Sequence, residues 1–152
     1  MSTLKDRLRT DLTSAMKARD KDRAGTLRMV MASITEAEVA GKEAKELTDD
    51  EIITILTREA KKRREAATAF ADGGRPEQAE KETAEAAVIT EYLPAQLSAE
   101  EISDLVSKAI AQSGAAELGM KGMGKVMGIL TPQTKGKADG GAVAAEVRKQ
   151  LA

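Results

Sequence analysis

Apolar residues recur every three or four positions along most of the chain, which is the spacing of one face of an α-helix. The first stripe consists of Leu4, Leu8, Leu12 and Met16, with Lys, Arg and Asp between them. A second stripe consists of Leu27, Val30, Met31 and Ile34. Alternation of period two, which is typical of a half-buried strand, never continues beyond a few residues. The pattern therefore predicts an all-α protein.

Capping residues indicate where the early helices begin. Asp20 or Asp22 can cap the second helix, which we expect to close at Gly41. Thr48 and Glu51 have the spacing of a capping box, in which each side chain satisfies a backbone N–H of the other residue. A third helix is therefore predicted to start directly after Thr48.

A proline marks the predicted boundary between two domains. The third helix is expected to stop at Gly73-Gly74, and Pro76 suits the first turn of a fourth helix. Pro94 then breaks the pattern, because a residue that precedes proline is disfavoured in the helical conformation. We therefore predict an N-terminal four-helix domain over residues 1–95 and a small three-helix domain over residues 96–152.

Three shorter helices are predicted after that boundary. Ser98 and Glu101 form a second capping box, which opens the first of them. The next helix is apolar on one face, and we expect Pro132 to end it. The last helix follows a turn over Lys135–Gly141, in which Asp139 can act as its cap.

The composition is informative chiefly because several residue types are rare or missing. The chain has one Phe, one Tyr and no Trp, so its core has to be built from Leu, Ile, Val, Met and Ala. It has no Cys and no His, so it lacks a cysteine nucleophile, the commonest general base and the commonest metal ligand. Paired carboxylates are expected in the first turns of helices or in exposed loops, and no serine has a histidine to activate it. We predict no catalytic residues, no metal site and no small-molecule cofactor.

No secretory signal and no apolar run of membrane-spanning length is present. The cytoplasm is the expected compartment, and no membrane partner is expected. The net charge is −1, but its distribution is uneven: residues 1–35 hold eight basic and four acidic residues, and residues 77–104 hold eight acidic and one basic. Residues 111–152 hold six basic and three acidic residues. Such asymmetry permits nucleic-acid contact at either end without requiring it.

The run Lys121–Gly141 is punctuated by glycines and lysines. Its Gly-Met-Gly-Lys segment lacks the strand and the hydroxyl residue of a phosphate loop, since Val126 follows Lys125. Glycines that enter a helix leave backbone N–H groups open to a phosphate, and lysines beside them add positive charge. Tight helix–helix packing explains the same glycines equally well.

The densest basic run is Lys61–Arg64. Consecutive helical residues point in different directions, so this run is interpreted as solvated helix surface rather than one patch. With Phe70 and Tyr92 standing alone, no aromatic platform for bases is available. Any RNA would therefore be recognised through its phosphate backbone and its shape, not through its base sequence.

Several motifs together resemble the YqeY family. They are Leu27–Ile34, Arg58–Glu65 with Phe70 and Gly74-Arg75, the Glu91–Ser98 stretch with its Tyr-Leu-Pro-x-Gln-Leu hinge, Met123–Gly128 and Lys135–Gly140. The resemblance covers essentially the whole chain, in order. Two positions depart from the family pattern: Gly122 stands where an Asp is usual, which puts that helix cap in doubt, and Ala66 replaces a common Ser.

The resemblance implies a particular kind of function. The C-terminal part of YqeY proteins is similar to the tail domain of GatB, a subunit of the glutamine-dependent amidotransferase that acts on misacylated tRNA. That tail contacts tRNA, whereas the catalytic steps lie in other domains and subunits. Their segments are not found in this sequence, so a carbon–nitrogen ligase label would be inherited from the larger protein.

Three functional hypotheses follow. The first is a non-catalytic accessory protein that binds tRNA or another RNA and is linked to amidotransferase-type function, with phosphate contact and close backbone approach assigned to Lys121, Gly124, Lys125, Gly128, Lys135 and Lys137. The second is a helical protein-interaction module that docks a protein partner. The third is a carbon–nitrogen ligase that uses glutamine as amide donor.

Overall fold

The computed structural model describes residues 2–152 and is built of helices. Seven α-helices run α1 Thr3–Lys17, α2 Lys21–Glu38, α3 Asp49–Asp72, α4 Pro76–Thr90, α5 Ala99–Ser113, α6 Met123–Thr134 and α7 Gly140–Leu151, with a 3₁₀ segment at Ala115–Gly122 between α5 and α6. No strand occurs among the described residues. The all-α prediction is confirmed.

Most helix starts lie where the capping residues indicate. The side chain of Asp20 accepts a hydrogen bond from the Arg23 amide at the start of α2. Both predicted capping boxes are formed, at the starts of α3 and α5. Pro76 is the first residue of α4, where its missing N–H costs no helical hydrogen bond. The local sequence therefore fixes these four boundaries.

The chain divides into two compact units, Met1–Leu93 and Pro94–Ala152. The core of the first unit is aliphatic, with Tyr92 as its one aromatic member; its largest fully buried side chains are Leu8, Leu27, Val30, Ile34, Ile52, Leu56 and Ile89. The second unit packs α5, α6 and α7 around Val106, Val126, Leu130, Val143 and Val147. The assignment of residues 1–95 and 96–152 as domains stays a prediction.

A polar cluster stabilises the first unit around its one tyrosine. The Tyr92 hydroxyl donates a hydrogen bond of 2.5 Å to Asp11 on α1, and the Arg7 guanidinium carbon lies 4.6 Å from the ring centroid. Arg23 on α2 donates to the same hydroxyl at 3.4 Å. Burial, followed by the hydrogen bond to Asp11, raises the pKa of Tyr92 to about 12. The cluster connects α1 and α2 to the residues that follow α4.

Four local predictions are corrected by the structure. Pro132 lies inside the last turn of α6, which continues to Thr134, so the expected stop at Pro132 was wrong. Pro132 has no N–H to donate to the carbonyl oxygen of Gly128, but its fixed φ is compatible with a helix, and α6 continues for two residues beyond it. Helix α2 ends at Glu38 rather than Gly41. Met16 is 52% exposed instead of completing the stripe of α1.

The fourth correction concerns the segment before α6. Sequence periodicity did not predict the 3₁₀ segment, whose helical dihedrals are interrupted at Gly119 with φ of 56° and ψ of −139°. A non-glycine residue rarely adopts that conformation. The interruption at Gly119 obscures any continuous helical repeat in the sequence.

Candidate nucleic-acid interface

The six residues assigned to RNA contact all lie in the second unit, and all are exposed. Lys121 is in the 3₁₀ segment, the pair Gly124-Lys125 opens α6, Gly128 lies one turn later, and Lys135 and Lys137 are in the loop that follows α6. Lys121 precedes the start of α6, so it does not belong to the same α-helix as Lys125. The run nevertheless forms a continuous stretch of chain from the 3₁₀ segment to the start of α7.

Gly122 packs tightly against the start of the 3₁₀ segment. A Cβ atom added there would lie 2.7 Å from the Cβ atom of Ala115, which is buried. Gly122 also occupies the N-cap position of α6 and provides no side-chain cap. The departure from the family's Asp therefore leaves the first turn of α6 without that hydrogen bond, and it allows close contact with Ala115.

Gly124 and Gly128 behave in the opposite way. A Cβ atom added at either position would meet no atom within 4 Å. They are four residues apart on α6, so they lie on the same face of that helix. The helix-packing interpretation is therefore wrong for these two glycines within the described chain, and they leave the α6 backbone open to an approaching partner.

The four lysines among these six residues carry positive charge that no acidic side chain of the described chain neutralises. Within residues 2–152, none of Lys121, Lys125, Lys135 and Lys137 forms an ion pair. Unpaired ammonium groups on a mobile stem suit phosphate oxygens, whose contact releases condensed counterions. We call the six residues together the lysine–glycine surface.

The loop that carries Lys135 and Lys137 is held by the segment after Pro94. Gln96 Nε2 donates to the carbonyl oxygen of Gly136 at 2.8 Å and to that of Pro94 at 2.7 Å. The Leu97 amide donates to the Lys137 carbonyl oxygen at 2.8 Å. Gly136 has a φ of +77°, which a residue with a Cβ rarely adopts. Gln96 and Leu97 thus fix the backbone between the two lysines.

Comparison with known proteins identifies the chain. The family model described as Yqey-like protein matches residues 5–151. The chain belongs to the YqeY family. It is similar to an uncharacterised protein of Schizosaccharomyces pombe, 34% identical over 88 residues that cover 57% of this chain and 69% of the relative. It is also similar to "altered inheritance of mitochondria protein 41, mitochondrial" of Pyrenophora tritici-repentis, 30% identical over 136 residues that cover 87% of this chain and 71% of the relative.

The sequence predicted no role for the glutamine of the YqeY hinge motif. In the structure Gln96, its fifth residue, donates one hydrogen bond to Gly136 in the lysine loop and one to Pro94 beside it. A glutamine two residues after a helix-breaking proline was the available signal, but its partner lies 40 residues away. Sequence reasoning could not supply that pairing.

The basic run of this YqeY chain contains one side chain that is not solvated surface. Arg63 is 5% exposed and donates from Nη1 to Glu59 Oε2 at 2.7 Å. Its Nε lies 3.4 Å from Glu85 Oε2 on α4, without the geometry of a hydrogen bond. The neighbouring Lys62 is exposed and lies 3.5 Å from Glu59. Arg63 therefore joins α3 to α4, which the interpretation of this run as surface missed.

The carboxylate pairs serve helix ends and ion pairs. Asp49 accepts hydrogen bonds from the Ser2 and Thr3 hydroxyls and the Leu4 amide, and these bonds lower the pKa of the Asp49 carboxyl. Glu38 accepts from Lys5 Nζ at 2.7 Å, which lowers the pKa of that carboxyl too. Each of these acids has a structural partner.

Residues 2–152 hold no group of three or more His, Cys, Asp or Glu residues able to bind a metal ion. Within the same part of the chain, no helix has the length and apolarity needed to cross a membrane.

Proposed function

We propose that this YqeY-family chain is a non-catalytic accessory protein that binds RNA through the phosphate backbone at the lysine–glycine surface. Two observations together carry the proposal. Four exposed lysines lack ion pairs in the described chain, and a Cβ atom added at either of two exposed glycines of α6 would meet no atom within 4 Å. A helix that keeps two exposed glycines loses about 1 kcal/mol at each, compared with alanine. Glycine at these two positions would allow a ligand to approach the α6 backbone closely, which would explain why the chain tolerates the lower helix stability.

We propose tRNA as the RNA class, because of the resemblance of the C-terminal part to the GatB tail domain. A link to amidotransferase-type function belongs to the same proposal. The chain would supply binding and placement, and any amide transfer would take place on another protein. Purified chain incubated with glutamine should then release no ammonia, and release at an enzymatic rate would favour the carbon–nitrogen ligase hypothesis instead.

The binding test compares two variants of equal net charge. Lys125→Glu with Lys137→Glu reverses two charges of the lysine–glycine surface. Lys42→Glu with Lys108→Glu reverses two exposed lysines elsewhere that likewise form no ion pair within residues 2–152. We expect the first variant to weaken binding of fluorescent tRNA at least tenfold and the second to weaken it much less. Equal weakening in both would show that only overall charge matters.

The slope of the salt dependence adds a second criterion. Four lysine–phosphate contacts predict that log K falls with log salt with a slope of about −3 to −4. The surface variant should lose about two units of that slope, whereas the control should keep it.

A protein partner is the second candidate function, and one observation favours it. Leu118 and Met120, in the 3₁₀ segment beside α6, are 47% and 49% exposed. Exposed apolar side chains of this kind suit contact with a helix of another protein. Under this alternative, reversal of Lys125 and Lys137 leaves partner binding intact, whereas Leu118→Glu abolishes it.

For the cellular compartment, the cytoplasm remains the proposal. The mitochondrial designation in the name of the Pyrenophora relative supplies the competing location. Imaging of the chain fused at its C-terminus to a fluorescent protein separates the two.

A further inference from the structure

The corner between α1 and α2 carries three cationic side chains around an open cavity. The cavity has a volume of about 490 Å³, and Arg19, Lys21 and Arg28 contribute to its lining. Ala15 and Ala24, both buried, supply part of its apolar wall. This corner belongs to the first unit, whereas the lysine–glycine surface belongs to the second.

The positive charge of the corner is not neutralised by the described chain. Arg19, Lys21 and Arg28 are exposed, and none of their side chains forms an ion pair or a hydrogen bond within residues 2–152. The one acid that lines the cavity, Asp20, accepts a hydrogen bond from the Arg23 amide at 3.1 Å as the cap of α2. The corner therefore presents three cations to a single carboxylate that already has a partner.

Arg19 has an unusual backbone conformation for a side chain of its size. Its φ is +57°, and no other non-glycine residue of the described chain has a positive φ. The turn closes α1, with the Asp20 amide donating to the Ala15 carbonyl oxygen at 3.0 Å. Glycine is the usual residue at such a position, because a Cβ atom is strained there. Packing does not explain the arginine, since its side chain is exposed and makes no bond within residues 2–152.

We propose that this corner is a second phosphodiester-binding site, at which Arg19, Lys21 and Arg28 contact the backbone of RNA. The choice of RNA as the ligand rests on the proposed function, but the residues and the unit are different. Two of the three cations are arginines, whose planar guanidinium donates two parallel hydrogen bonds to a phosphate. No aromatic ring lines the cavity, so bases would not stack there and the contact would be independent of sequence.

The test follows the amide NMR signals of the full-length chain as bulk tRNA is added at low salt. We expect signals of residues 15–28 to shift, and the shifts to decrease as salt is added. Signals of residues 119–141 report on the lysine–glycine surface separately. Shifts in 119–141 without shifts in 15–28 would overturn the second site and leave the proposed function standing. Shifts in 15–28 alone would support the second site and contradict the proposed function.

Two variants remove cations from the corner, and a third controls for lost charge. Arg19→Gly is expected to fold at least as stably as the parent chain, because glycine adopts the positive φ without strain. Arg19→Gly and Arg28→Gln should each reduce the slope of log K against log salt by about one. Arg64→Gln removes an exposed arginine that does not line the cavity and should leave the slope unchanged. Unchanged slopes for both corner variants would overturn the proposal.

A last experiment tests whether the corner binds RNA specifically or any polyanion, including an acidic polypeptide. Poly-glutamate at the same concentration of charge should shift the signals of residues 15–28 much less than tRNA does. If it shifts them equally, the site accepts acidic protein surfaces, and the assignment to RNA is overturned.

Discussion

The side-chain amide of Gln96 lies 2.8 Å from the carbonyl oxygen of Gly136, across 40 residues of sequence. This bond attaches the loop of Lys135 and Lys137 to the segment that starts the second unit. It makes Gln96 a positioning residue for the proposed RNA surface, although its own side chain carries no charge.

We therefore expect Gln96→Ala to loosen the lysine loop. The loss of two hydrogen bonds should destabilise the second unit by about 1–2 kcal/mol. Amide exchange of Lys137 and Ala138 should become faster, and tRNA binding should weaken severalfold. Gln112→Ala is the matched control, since Gln112 is exposed and its side chain forms no hydrogen bond within residues 2–152. Equal exchange rates in the two variants would show that Gln96 does not hold the loop.

The three glycines of the α6 region should respond differently to alanine. Gly122→Ala forces a Cβ atom against Ala115 and should destabilise the chain by about 1–3 kcal/mol. Gly124→Ala and Gly128→Ala meet no atom and should stabilise it by up to about 1 kcal/mol each. Urea unfolding measures all three. If RNA approaches the backbone at Gly124 and Gly128, the two stabilising variants should also bind tRNA more weakly. Unchanged affinity would show that these two glycines do not contact RNA.

The sequence allowed the fold to be predicted wherever a local chemical signal exists. Capping boxes, Pro76 and the apolar stripes place most helices, because each acts within a few residues. The 3₁₀ segment was missed because Gly119 interrupts its dihedrals. Pro132 was misjudged because a proline removes one backbone hydrogen bond without preventing the residues after it from being helical. The six residues of the site were predicted because they lie in one segment of the sequence. The role of Gln96 was not predicted, because the loop that it holds is remote from it in sequence.

Arg63 and Lys62 provide a matched test of burial. Arg63→Ala removes the cation that lies between Glu59 and Glu85 and should cost about 2–4 kcal/mol, because both acids lose a largely buried partner. Lys62→Ala removes an exposed partner of the same Glu59 and should change stability by less than about 0.5 kcal/mol. Thermal or chemical unfolding of the two variants decides the point. Similar losses would mean that burial of Arg63 contributes little.

Tyr92 should make stability sensitive to alkaline pH. Its pKa is raised to about 12 in the folded chain, above the ordinary value of 10, so the folded state holds the proton more tightly. The stabilisation is fully present below pH 10 and is lost as pH rises towards about 12; by linkage it amounts to about 2–3 kcal/mol.

Comparison with Tyr92→Phe isolates this effect from the titration of lysines. The variant loses the bond to Asp11 and should be less stable at neutral pH by about 1–3 kcal/mol. Its deficit should shrink as pH rises above 10. A deficit that stays constant up to pH 12 would show that Tyr92 is not responsible. Because Tyr92 is the one tyrosine of a chain without tryptophan, ultraviolet absorbance reports its ionisation directly.

We propose that RNA phosphates contact the lysine–glycine surface. The most direct measurement of this contact is the map of amide NMR shifts of the full-length chain on addition of bulk tRNA. We expect shifts across residues 119–141 at low salt, which fade as salt rises and are lost in the Lys125→Glu, Lys137→Glu variant. Unchanged signals in that segment, at low salt and with tRNA in large excess, would contradict it.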